Sequence, residues 1–261
     1  MATHVLIAGN WLGGWAWADV TTRLRAAGHD VHPVTLTGLG DRAHLASPQV
    51  NLDTHIADVV HTITYADLHD VILVGHSYGG FPVTGAADRI PERVSRVVYV
   101  ESGPLPDGTS QLDMLGPDAR DAVLTRMKER EDGWLESVPT LEDLTATGDG
   151  SANGLGPAEW ARFTAHAVPQ PLGANAQPLR LTNDIRRDAI PHTLVTCMFP
   201  LEQVKAMVAA GHPFFAGFGG KEWTYAELPT GHWPMFSEPA GLAAILDELA
   251  SRPAGGVGGS A

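Results

Sequence analysis

The 261-residue chain is poor in cysteine, in basic residues and in long apolar runs. Its one cysteine, Cys197, excludes an internal disulfide and fits a reducing cytoplasm. Seventeen Lys and Arg stand against 30 Asp and Glu, a net charge of −13. So acidic a surface repels phosphate backbones, so nucleic acid is not an expected partner, and solubility is explanation enough for the charge. No apolar stretch is long enough to cross a bilayer, which makes a membrane partner unexpected too. Met1-Ala2-Thr3-His4 has no basic region and runs into an apolar segment, so no secretory signal is expected. Neither H-E-x-x-H nor C-x-x-C occurs, and His55, His61 and His69 are not spaced as ligands; no metal is expected. Internal repeats are missing as well.

What is present alternates between strand and helix patterns. With 44% hydrophobic residues, the chain can bury the core of one sizeable α/β domain. Residues 4–8, 30–36, 71–74 and 93–100 read as strands. Helices are predicted over 15–27 and from Ser77 to about Ile90, stopping before Pro91. Between them Asn51 or Asp53 caps a helix with Ile56, Val59, Val60 and Ile63 at helical spacing. This order predicts a mostly parallel sheet with helices on both faces. The rhythm breaks over 103–187, where helices over 119–131 and 157–167 flank a Gly/Ser-rich loop at 148–154, read as mobile. So long an insertion is expected to cap a site. The pattern resumes with strands over 193–198 and 222–228 and helices over 201–210 and 239–250. The division is therefore a core over 1–102 and 188–252, a cap over 103–187, and a flexible glycine-rich tail over 253–261.

One motif carries chemistry. Gly75-His76-Ser77-Tyr78-Gly79 follows the buried strand Val71-Ile72-Leu73-Val74 and opens a helix. In that setting G-x-S-x-G lifts the serine hydroxyl off the sheet edge, so Ser77 is the candidate nucleophile. A serine needs a base to take its proton. His232, in Thr230-Gly231-His232-Trp233, follows the last predicted strand and so lies at the same sheet edge. It is the candidate base, whereas His76 reads as structural. The backbone N–H of Tyr78 is one candidate oxyanion donor. The N–H of Asn10, after the first strand, is the other, with Trp11 as runner-up, and Gly9 would let that loop approach the serine. Trp11 and Trp233 adjoin these elements and are candidate substrate-binding residues in an apolar pocket.

Together these segments resemble the α/β-hydrolase superfamily. More narrowly, they resemble the branch holding plant methylesterases, hydroxynitrile lyases and bacterial esterase-like members. The resemblance rests on residues 9–17 (GNWLGGWAW), 36–45 (LTGLGDRAHL), 74–80 (VGHSYGG), 97–101 (VVYVE), 169–172 (PQPL) and 230–232 (TGH). It implies the α/β-hydrolase fold with a helical cap, a small-molecule ester substrate, no cofactor and a cytoplasmic setting. Ala8 stands where the family usually has histidine. Many members also carry an aspartate soon after the strand that here ends Thr196-Cys197, whereas this chain continues Met198-Phe199-Pro200-Leu201-Glu202. Two acids are therefore candidates: Glu101, closing the strand beyond the nucleophile strand, and Glu202, which also reads as a helix-start charge. Glu101 is preferred, and Asp107 reads as turn chemistry. The expected activity is hydrolysis of a hydrophobic carboxylic ester or lactone. The lyase branch resembled here places threonine in the first loop and lysine after the histidine; Gly9 and Trp233 stand there instead. A non-hydrolytic biosynthetic enzyme and a non-catalytic ligand-binding protein stay open. A homodimer is compatible with the sequence, which does not encode the oligomeric state.

Overall fold

The computed structural model describes residues 1–128, 132–146, 148–211, 218 and 223–251. The described residues hold eight strands: β1 Thr3–Ile7, β2 Asp30–Val34, β3 Val71–His76, β4 Val94–Val100, β5 Leu135–Glu136, β6 Gln170–Pro171, β7 His192–Thr196 and β8 Trp223–Glu227. Six form one sheet in the order β2-β1-β3-β4-β7-β8, every pair parallel. A parallel sheet covered on both faces favours continuous apolar strands, and all six residues of β3 are buried.

Successive side chains of a strand point to opposite faces, so each strand feeds two cores. Val5, Ile7 and Leu73 pack with Ile56, Val59 and Ile63 of α2 (Leu52–Tyr65) and with Val83 and Ala86 of α3 (Gly80–Arg89). Leu6, Ile72 and Val74 pack on the other side with Val20 and Leu24 of α1 (Ala18–Ala26) and with Leu242 and Leu246 of α11 (Pro239–Ser251). Helix α2 is capped by Asn51, whose side chain accepts from the Thr54 amide at 3.0 Å in a reciprocal capping box.

Between neighbouring strands β4 and β7 the chain leaves the sheet for residues 103–187. This inserted segment holds α4 (Pro117–Lys128), α5 (Leu141–Ala146), α6 (Pro157–His166), α7 (Leu172–Ala176), α8 (Asp184–Asp188) and the antiparallel pair β5-β6. That pair is absent from the sequence reading, because two residues per strand carry no periodicity. The 148–154 loop differs from its reading as well: it is packed, with Ser151 buried and its carbonyl accepting from the His232 amide. The 253–261 tail, Glu131 and Glu222 lie outside the described residues. Helices α9 (Leu201–Ala209) and α10 (Pro234–Ser237) complete the core. Among the described residues no helix is long and apolar enough to cross a membrane.

The segment returns to the core through a buried charge. Asp88 on α3 accepts from the Thr182 and Asn183 amides, both at 2.9 Å, and from Arg187 at 2.6 Å. Burial raises its pKa, but these donors outweigh that and hold the carboxyl below its ordinary value. A depressed carboxylate stabilises the fold at neutral pH, and the contribution is lost as pH falls through the folded-state pKa. Asp88→Asn takes the nearer carboxylate, at 2.6 Å, from the buried Arg187 guanidinium and leaves it the more exposed Asp188 at 3.3 Å. It should cost about 3 kcal/mol at pH 7 and less near pH 3, read by denaturant unfolding at both pH values.

Candidate active site

Three non-glycine residues at the carboxyl rim of the sheet adopt left-handed backbone: Trp11 (φ 66°), Ser77 (φ 51°) and Glu101 (φ 46°). Such residues cost about 1–3 kcal/mol each and persist where surrounding packing over-determines them. Ser77 is forced into its conformation by the step from β3 into the 3-10 turn Ser77–Gly79 and then α3. A β-carbon on Gly75 would stand 2.5 Å from the Gly79 carbonyl oxygen, so the turn closes only with glycine there. Ser102 Oγ–H donates to the Ser77 carbonyl at 2.5 Å and fixes the turn from behind.

The loop after β8 delivers His232 to this turn. Ser77 Oγ and His232 Nε2 lie 2.9 Å apart; with the imidazole proton on Nδ1, the nitrogen that faces Glu101, the Ser77 hydroxyl donates to Nε2. Glu101 Oε2 lies 4.0 Å from Nδ1, beyond hydrogen-bond length but within Coulombic reach. The other carboxylate oxygen of Glu101 is held by the Cys197 amide and, at 3.1 Å, by the Met198 amide. Strands β4 and β7 are parallel neighbours, so the end of one abuts the end of the other. The loop after β7, which lacks an aspartate, thus supplies donors to the carboxylate of β4. Glu202 lies elsewhere: its side chain is 84% exposed and paired with Lys205 on the surface of α9.

Electrostatics follow from burial. Desolvation pushes the His232 imidazole down to about 4, with the Asp149 carboxylate pulling it up. Burial raises the Glu101 carboxyl, opposed by its two amide donors. Cys197 is buried beside it, and burial drives the thiol far above its ordinary value, which makes it a poor nucleophile.

The first loop lies hard against the serine. A β-carbon on Gly9 would be 2.8 Å from Ser77 Cβ. The Trp11 amide donates to buried Gln170 at 3.3 Å, and the Trp11 carbonyl accepts from the Val168 amide at 3.0 Å. Of the two oxyanion donors weighed in that loop, Trp11 is therefore already committed. Gln170 continues through Asn175 to Glu136 in a buried polar chain that ties the loop to the inserted segment. Tyr78 is buried, and its hydroxyl donates to His55 Nδ1 at 2.7 Å while His55 Nε2–H donates to the Thr37 carbonyl.

The two tryptophans part company. Trp11 is half-buried at the rim. Trp233 is only 4% exposed and sits edge-on against Phe163 of α6, within the core that also holds Phe236 and Met235. It packs beneath the base loop, its ring centroid 5.1 Å from that of His232. Ser102, Gln170 and Asp149 went unread. Gln170 had a signal in the Pro169–Leu172 motif; Asp149 had none, because its loop read as a free excursion. Among the described residues no group of His, Cys, Asp or Glu could hold a metal ion.

This fold and rim define a hydrolase-type scaffold. The chain belongs to the Alpha/beta hydrolase family, matched over residues 5–245. It is 48% identical over 115 residues, 44% of its length, to a "Carbendazim hydrolyzing esterase" from Nocardioides sp. (strain SG-4G). It is 24% identical to "Methyl jasmonate esterase 1" of Vitis vinifera over 94% of this chain and 95% of that one. The chain spans about half the length of several curated relatives, the Nocardioides esterase (48%) among them. An extracellular α/β-hydrolase from a Paenibacillus species superposes with a TM-score of 0.78 at 22% identity, covering 97% of this chain and 100% of that one, a likeness of fold.

The His232 imidazole should titrate with a midpoint near 4, by ring-nitrogen NMR, and be neutral at pH 6. Asp149→Asn removes the charge that favours imidazolium, so the midpoint should move lower still. A midpoint at or above the ordinary imidazole value would contradict this environment.

Proposed function

We propose that the chain is a carboxylic-ester hydrolase working through an acyl-enzyme on Ser77. The observation that carries this is the 2.9 Å contact from Ser77 Oγ to His232 Nε2 on a strained strand-to-helix turn. Ser77 Oγ attacks the ester carbonyl as its proton passes to His232 Nε2. The tetrahedral oxyanion is received by the backbone N–H groups of Tyr78 and Asn10. His232 then gives its proton to the leaving alkoxide, and the acyl group stays on Ser77. Water, deprotonated by the same imidazole, attacks the acyl carbon, and the serine leaves with the proton from His232. Glu101 stabilises the imidazolium in both halves.

The substrate class is a small to medium hydrophobic ester or lactone. Esterase names among the relatives support it, with half-buried Trp11 at the rim in contact with the substrate and the 103–187 segment as its cap. No cofactor is needed for this chemistry. The setting we assign is the cytoplasm, supported by a lone buried thiol.

Hydrolysis of p-nitrophenyl acetate tests the assignment. Ser77→Ala and His232→Ala should abolish turnover above the buffer rate. Glu101→Gln should lower kcat by about four orders of magnitude, on the scale seen when a triad acid loses its charge, while Glu202→Gln should match the parent. Turnover that survives Ser77→Ala would rule out the acyl-enzyme.

A further inference from the structure

We infer that His232 is held in a two-sided backbone clamp, His76 on one side and the 149–154 loop on the other, which sets the imidazole's distance from Ser77. The clamp matters only if Ser77 and His232 are nucleophile and base, and in that it rests on the proposed function. His232 lies in the short irregular stretch between β8 and α10, with no ladder or helix to fix it. Both of its backbone polar groups are nevertheless engaged by distant partners. Its carbonyl accepts from His76 Nε2–H at 2.7 Å, and its N–H donates to the Ser151 carbonyl at 2.8 Å.

The His76 jaw is rigid. The residue ends β3, is fully buried, and its ring centroid lies 5.0 Å from that of His232. A β-carbon on Gly9 would come within 3.1 Å of His76 Nδ1, so the ring is wedged between the first loop and the base loop. Burial holds its pKa far below the ordinary value, which keeps one proton on the ring, at the nitrogen facing the carbonyl.

The second jaw belongs to the inserted segment. Ser151 N–H donates to Asp149 Oδ1 at 2.8 Å and Asn153 N–H to the Gly150 carbonyl at 3.0 Å, a fold that turns the Ser151 carbonyl toward His232. Contact with the base loop is close: a β-carbon on Gly231 would collide with the Asn153 carbonyl oxygen and stand 2.5 Å from that of Ser151. Ångström-scale misplacement of a catalytic group costs on the order of 100-fold in rate. The inserted segment is then a working part of the base's geometry, and any displacement of its 149–154 loop releases one jaw.

Two pairs of variants test the clamp, each with a conservative rescue. His76→Leu keeps bulk and removes the donor; His76→Gln restores an N–H near the position of Nε2. Asp149→Ala removes the acceptor that shapes the loop; Asp149→Asn keeps an acceptor oxygen without the charge. With p-nitrophenyl acetate at pH 8, His76→Leu and Asp149→Ala should lower kcat by about 10- to 100-fold with KM within about two-fold, while Gln and Asn recover most of the loss. Melting temperatures confirm that each variant is folded. If His76→Leu does not fold, the exposed Asp149 pair decides. Parental kcat in the folded Leu and Ala variants overturns the clamp, while loss of turnover in Ser77→Ala and His232→Ala leaves the proposed function standing. Turnover that survives those two substitutions defeats the proposed function instead.

Discussion

A hydrogen bond of 2.9 Å between Ser77 and His232 joins residues 155 positions apart, and the rest of the rim is arranged around it. A parallel sheet makes that possible, because every strand delivers its following loop to the same edge. Strand β3 aims the serine, β4 ends in Glu101, β7 supplies amides to that carboxylate, and the loop after β8 brings the imidazole. Positive φ at Ser77 and Glu101 marks where the chain is bent to meet the site. The two packed cores beneath the sheet hold those strained turns in place.

Around this contact, polar groups are rationed by burial. The base is partly buried, and desolvation keeps it neutral and ready to accept a proton. The Glu101 carboxylate, 4.0 Å from its Nδ1, is itself desolvated, restrained through one oxygen by two amides, with the other facing the ring. Hydrogen bonds to Gln170 and Tyr78 brace the turns that carry the proposed oxyanion donors. The first brace reaches into the inserted segment, and the second joins the serine turn to α2 of the core.

Much of this was legible from the residues alone. The mostly parallel sheet followed from the apolar runs at Val71–Val74 and Val97–Val100 and from their spacing by helices. The serine turn followed from glycines at 75 and 79 between a strand and a helix, and the placement of His232 from its position after the last strand. That Glu101 would lie at the same edge as the base was legible because strand ends share an edge; Glu202 lies on the surface of α9, paired with Lys205. The burial of Trp233 among Phe163, Met235 and Phe236 was not legible, because sequence adjacency to a site residue says nothing of side-chain direction. The 148–154 loop was misjudged for a related reason. Glycine and serine signal backbone freedom, yet Gly231 and Gly154 also permit the close approach that packs this loop against the base loop. Long-range contacts of that kind leave no local pattern to read.

The most direct measurement of the central claim is peptide-mapped mass spectrometry after treatment with a serine-reactive fluorophosphonate. One stoichiometric adduct on the peptide carrying Ser77, formed by the parent chain and not by His232→Ala, is the predicted result. An adduct on another residue, or equal labelling without the imidazole, would contradict it.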